Sequence, residues 1–146
     1  MNTHIQSLLD TLRVQSGGVP IYVQIRDQLL GAIGAGRLRP GERMPTMRQV
    51  ALALKIDLNT VKHAYDELER AGAIVLVRGS GTFVAENPPA IDLAAQEARV
   101  ESLAHRTIAA AAAAGIDPAA VARRIIEWAG KRPMDENPRD REDDQP

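Results

Sequence analysis

Residues 46–72 read TMRQVALALKIDLNTVKHAYDELERAG, and the caps and apolar spacing in this stretch decide the fold. Thr46-Met47-Arg48-Gln49 has the spacing of a capping box, in which Thr46 accepts from the N–H of Gln49 while the Gln49 side chain reaches back. The short helix that follows is expected to turn Val50, Ala51 and Leu54 inward. Lys55-Ile56-Asp57 breaks it. Asp57 suits the N-cap of another helix, with Ile56 and Val61 placed as a hydrophobic staple across it. This helix is expected to bury Val61, Ala64, Tyr65 and Leu68 and to run to about Ala71, where Gly72 supplies a left-handed stop. Two short helices joined by so tight a break have helix-turn-helix proportions, although an ordinary helical pair would share the pattern.

The flanking segments favour the helix-turn-helix. Upstream, Pro20 opens a helix in whose first turn its fixed φ and missing N–H cost nothing. Ile21, Ile25, Leu29 and Ile33 form one stripe at four-residue steps, Gly34 and Gly36 end the helix, and residues 37–41 make a turn. Downstream, Ile74-Val75-Leu76-Val77 is β-prone, Arg78-Gly79-Ser80-Gly81 is a turn, and Thr82-Phe83-Val84 is β-prone again, which predicts a hairpin. Helix, helix-turn-helix and hairpin in this order form the winged-helix arrangement. Asn87-Pro88-Pro89 is a hinge.

Two flanking regions complete the chain. Residues 1–18 carry a weak amphipathic run, Ile5, Leu8, Leu9 and Leu12, and end in Ser16-Gly17-Gly18, so they read as an N-terminal extension. Ala90 to about Ala114 is strongly helix-prone. Gly115 ends that helix, and Asp117-Pro118 starts another with Val121, Ile125, Trp128 and Ala129 on its apolar face. Residues 131–146 hold three prolines and ten charged residues and are expected to form a disordered tail. The expected fold is mainly α with a small β-hairpin wing (α+β). Its winged helix-turn-helix domain spans 19–87, and its C-terminal helical region spans 90–130.

Composition narrows the function. The chain has 146 residues, ordinary globular usage and no cysteine, which removes disulfides, thiolate metal sites and cysteine nucleophiles. His4, His63 and His105 lack ligand spacing, and no cofactor or metal is expected. Aromatic residues make up 3% of the chain, too few for stacking platforms that read sugars or single strands. No apolar run approaches a membrane span and the first residues lack signal-peptide character, so a cytoplasmic location away from membranes is expected. Net charge is −1, but it is unevenly spread. Arg43, Arg48, Lys55 and Lys62 face only Asp57 within residues 43–63. That patch suits a module meeting phosphate with one face, and a solvated surface would look the same.

Taken together, Pro20-Ile-Tyr-Val-Gln-Ile, Met44-Pro-Thr-Met-Arg-Gln-Val-Ala, Asn59-Thr-Val-Lys and Arg78-Gly-Ser-Gly-Thr-Phe-Val resemble the DNA-binding domain of the GntR family of bacterial transcription regulators. Leu54 to Glu69 is similar to the YtrA-like branch in particular, whose short C-terminal region has two helices. The resemblance implies a regulator, by analogy a repressor, that binds a double-stranded operator through a recognition helix in the major groove and a wing in the minor groove. Arg48 matches an arginine that members use at the start of the second helix, and Arg78-Gly79 matches the wing tip. Many members place arginine where this chain has Leu58, and Lys55 stands where glycine is frequent.

Removing the buried positions from the second helix of the pair leaves Leu58, Asn59, Thr60, Lys62 and His63 outward. Asn can pair bidentately with adenine, Thr can meet a phosphate or a thymine methyl, and Lys suits phosphate or guanine. His63 also fits a plain surface histidine, and Arg48 a surface salt bridge. The candidate DNA-binding set is Thr46, Arg48, Asp57, Leu58, Asn59, Thr60, Lys62, His63, Arg78, Gly79 and Ser80.

An enzyme is disfavoured, because Gly79-Ser80-Gly81 lacks the lysine, spacing and following helix of a phosphate loop. The rival reading is a winged-helix module that binds protein without specific DNA recognition, whose face would be more apolar than Asn59, Thr60, Lys62 and Arg78. In the C-terminal helices, Leu93, Val100, Leu103, Ile108, Val121, Ile125 and Trp128 exceed what a helical hairpin buries against itself. They are expected to form a homodimer interface, and the same element is where an unidentified small-molecule effector would act.

Overall fold

The computed structural model describes residues 3–130, and the tail expected at 131–146 lies outside the described residues. The described chain divides into two compact units between Ile91 and Asp92.

The first unit runs α1 (Thr3–Thr11), α2 (Ile21–Gly34), α3 (Met47–Leu54), α4 (Leu58–Arg70), β1 (Ile74–Val77) and β2 (Gly81–Val84). It is a winged helix-turn-helix. Pro20 lies one position earlier than expected, as the N-cap of α2 in an extended conformation (ψ 141°). Both halves of the Thr46/Gln49 capping box are present. Asp57 caps α4, its carboxylate accepting from the Asn59 N–H at 2.8 Å. Between α3 and α4 the chain reverses through Lys55 in the left-handed region, at φ 55°. A lysine there bears strain that glycine would not.

The core follows the expected stripes with two adjustments. Ile25, Leu29, Ala32 and Ile33 of α2 pack with Val50, Ala51, Val61, Ala64, Tyr65 and Leu68. Ile21 and Leu54, both expected inside, are half-buried at the edge of this cluster. The larger finding is α1. Ile5, Leu8, Leu9 and Leu12 are each no more than 6% exposed and belong to the same core. The Arg13 N–H donates to Gln28 Oε1 at 2.9 Å and the Gln15 N–H to Gln24 Oε1 at 2.8 Å. Gln24 Nε2 donates in turn to the carbonyls of Gln15 and Val19. Two glutamine side chains of α2 therefore satisfy backbone groups of the segment that follows α1.

The wing is an antiparallel pair in the register Ile74↔Val84, Val75↔Phe83, Leu76↔Thr82 and Val77↔Gly81. Gly81, expected in the turn, is the first residue of β2, which leaves Arg78-Gly79-Ser80 as the tip. The segment before α3 runs beside β2 as a third, irregular strand. The N–H groups of Gly41 and Met44 donate to the carbonyls of Val84 and Thr82, and the Val84 N–H donates to the Glu42 carbonyl.

Tyr65 ties the helix-turn-helix together, its hydroxyl donating to the buried carbonyl of Pro45 just ahead of α3. Burial pushes the phenol above its ordinary value of 10.0. Tyr65→Phe is expected to lower stability by about 1–3 kcal/mol, because the Pro45 carbonyl loses its donor away from water. With the folded pKa raised, this group has no pH effect on stability below about pH 10. Above it, the unfolded chain ionises first and stability falls as pH rises. Urea denaturation of both proteins at pH 7 and above pH 10 checks the loss and the slope, which should be shallower in the Phe variant.

The second unit comprises α5 (Leu93–Ala113) and α6 (Pro118–Gly130), which pack against each other. Asp92 caps α5 through the Ala95 N–H and Asp117 caps α6 through the Ala119 N–H, both at 3.0 Å. Among the described residues of this unit Ala111 is buried and Val121 is half-buried, whereas Leu93, Val100, Leu103, Ile108, Ile125 and Trp128 are all exposed. Among the described residues, no helix is long and apolar enough to cross a membrane.

Candidate nucleic-acid interface

The first turns of α3 and α4 and the base of β2 enclose an open groove. Thr46, Arg48, Leu58, Asn59 and Lys62 line it, with Arg43, Gly81 and Thr82. No carboxylate lines it, whereas three cations and the N-terminal ends of two helices do. Five of the eleven candidates thus share one concave surface.

The remaining candidates lie elsewhere or have other partners. Thr60 is half-buried rather than outward. The Asp57 carboxylate is engaged in capping α4. His63 stacks on the Tyr22 ring of α2, with centroids 3.7 Å apart and planes 14° apart, and its Nε2 is 3.8 Å from Glu67 Oε1. This places its ring on the α2 side of the recognition helix. Its pattern in the sequence fitted an outward residue because the stacking partner lies 41 positions away. Arg78, Gly79 and Ser80 are exposed at the wing tip.

Charge pairing separates the cations. Lys62 Nζ holds Asp66 Oδ2 at 3.0 Å across one helical turn. Such exposed pairs contribute little, and a phosphate can replace the carboxylate. Among the described residues, neither Arg48 nor Arg78 has a carboxylate within ion-pair distance. Glu67 gathers Arg26, His63 and Arg70 further along α4, away from the groove.

Arg43 was missed as a site residue. Its guanidinium lies over the Phe83 ring, 5.1 Å from the centroid. The sequence offered it only as one member of the basic patch, and the pairing with β2 that carries it to the wing is a tertiary feature.

The model of bacterial regulatory proteins of the gntR family matches residues 21–84, from the start of α2 to the end of β2. The chain is 46% identical over 84 residues to an HTH-type transcriptional regulator of Mycobacterium tuberculosis, covering 56% of this chain and 69% of that protein. It is 43% identical over 68 residues to the HTH-type transcriptional repressor YtrA of Bacillus subtilis, covering 47% and 52% of the two chains. Among solved structures, a GntR family transcriptional regulator from Listeria monocytogenes is similar, with 27% identity, a TM-score of 0.51, and coverage of 80% of this chain and 98% of that one. The matched stretch spans from 52% to 69% of these curated relatives. The family's matched residues are those that build the helix-turn-helix and wing around the groove, and this chain belongs to the gntR family of bacterial regulatory proteins.

Proposed function

We propose that this protein is a sequence-specific regulator of transcription, a non-enzymatic repressor in the cytoplasm that binds a two-fold-symmetric double-stranded operator as a homodimer. The observation that carries the reading is the carboxylate-free groove where Arg48, Asn59 and Lys62 converge beside the wing. The N-terminal turns of α4 would enter the major groove, where base edges are distinguishable. Asn59 would read adenine, Lys62 and Arg48 would hold phosphates, and Thr46, Leu58 and Thr60 would pack beside them. Arg78, with Gly79 and Ser80, would reach the adjacent minor groove, where a narrow A·T-rich stretch attracts arginine. His63 and Asp57 act on α4 itself, one against Tyr22 and one as its cap. Repression is supported by the similarity to the transcriptional repressor YtrA of B. subtilis. The residues 90–130 would join two copies, and a small-molecule effector would act there by changing the spacing of the two recognition helices. No cofactor is required.

Selection of bound fragments from genomic DNA, followed by gel-shift titration with salt, tests this reading. Binding should weaken steeply with salt and footprint as two related half-sites. Arg48→Ala should weaken binding to most sequences and lower the salt slope by about one. Asn59→Ala should relax the choice at one base pair, at about 1–3 kcal/mol on the best site. An Asn59→Ala protein with unchanged affinity and preference would show that α4 does not present this face to bases.

A further inference from the structure

Arg43 stands in a position that its neighbours shape in three independent ways. Its backbone bridges Phe83 of β2, so the two side chains are cross-strand neighbours on one face of the wing. Its guanidinium carbon lies over the Phe83 ring, a cation–π contact that restrains an otherwise mobile side chain. Its Nη1 closes on Gly81, where an added Cβ would sit 3.0 Å from it. Gly81 has φ +134°, in the region that favours glycine. The chain thus keeps open the space into which this guanidinium fits.

The guanidinium is held without being neutralised. Among the described residues, no carboxylate lies within ion-pair distance of Arg43. Phe83 lies against the guanidinium, and the side chain lines the same groove as Asn59 and Lys62. An arginine stacked on a ring keeps its in-plane N–H donors free for an oxygen-rich anion, and a fixed fork loses little freedom on binding one.

We infer that Arg43 is a DNA-backbone ligand at the junction of the wing and the recognition helix, gripping the phosphate strand that separates the major groove read by α4 from the minor groove entered by the wing. The inference rests on the operator-binding reading above and adds to it a positioning residue outside the helix-turn-helix and the wing tip. A helix in one groove and a hairpin in the next must straddle the intervening phosphates. Arg43 is a cation beside both elements, on the segment that runs along β2 and leads into α3. Phe83 acts through Arg43 by orienting it, and Gly81 by leaving it room.

The test compares the full chain with Arg43→Ala and Phe83→Leu on the selected operator fragment, with folding checked by thermal melting. Arg43→Ala should lose about tenfold in affinity at 0.1 M salt and lower the salt slope by about 0.9. It should do so equally on operator variants with altered bases. Phe83→Leu should show a smaller loss in the same direction. A scan of single methylphosphonate substitutions across the half-site should reveal one position that weakens the wild type but leaves Arg43→Ala unaffected. Unchanged affinity and slope in Arg43→Ala, on an operator the wild type binds with steep salt dependence, would overturn the inference and leave the operator reading intact. A loss confined to one base pair would overturn the phosphate assignment in favour of base reading. If Arg43→Ala melts early, the decision passes to the wild-type methylphosphonate scan, where the absence of a sensitive phosphate between the two grooves overturns it. Failure of the wild type to bind any duplex would instead remove the operator reading itself.

Discussion

A chain ending at Ile91 is expected to be monomeric and to bind its operator about 100- to 10,000-fold more weakly than the full chain. The boundary is chosen because the first compact unit ends there, and because the Ile91 side chain packs onto α2 at Gly34. The magnitude is that of converting a tethered second binding event into an independent one. One winged unit offers few base-facing side chains, too few for a typical specific affinity. The physical reason to place the dimer contact in the second unit is its surface. Leu93, Ile126 and Trp128 are 73%, 73% and 63% exposed, and Val100, Leu103, Ile108 and Ile125 all exceed 50%. Apolar area of this extent on two helices favours a partner surface. Val121, expected to share that interface, is half-buried, so it contributes mainly to the packing of its own unit. A two-fold pair would set its recognition helices about 34 Å apart, one turn of DNA. Light scattering and gel shifts on the two chains decide the matter. A shortened chain that stays dimeric with full operator affinity would place the contact in the first unit.

Leu8→Ala is expected to destabilise the first unit by about 2–5 kcal/mol, the cost of a large-to-small change in a closed core. In a unit of this size, such a loss lowers the melting temperature by roughly 10 °C or more. Leu8 is 4% exposed and sits with Ile5, Leu9 and Leu12 against the shared core. The outer contacts of α1 are polar: His4 Nε2 hydrogen-bonds the Arg37 carbonyl and lies 3.4 Å from Glu42 Oε1, and Arg37 Nη1 is 3.4 Å from Thr11 Oγ1. Leu52→Ala on α3 is the control. At 73% exposed it should change stability by no more than about 0.5 kcal/mol. Denaturant unfolding of both variants measures the difference, and a Leu8→Ala loss below about 1 kcal/mol would mean that α1 is not part of the core.

Features that depend on neighbours a few positions apart were legible in the chain. The Thr46/Gln49 box, the Asp57 cap, the four-residue stripe of α2, the burial of Val61, Ala64, Tyr65 and Leu68, and the hairpin from Ile74 to Val84 are all written in local spacing. Caps and periodicity act over three or four residues. The resemblance to the gntR family rests on those same residues, and for that reason it was legible as well. The rest came from contacts between distant elements. A weak amphipathic run could not announce that α1 closes the core, since Leu8 and its neighbours gain their burial from helices that begin at Ile21 and beyond. His63 looked outward until Tyr22 met its ring, and Arg43 was one basic residue of a patch until Phe83, 40 positions on, lay beneath its guanidinium. Such partners are chosen by the packing of whole elements, and no local period records which distant side chain will stand opposite.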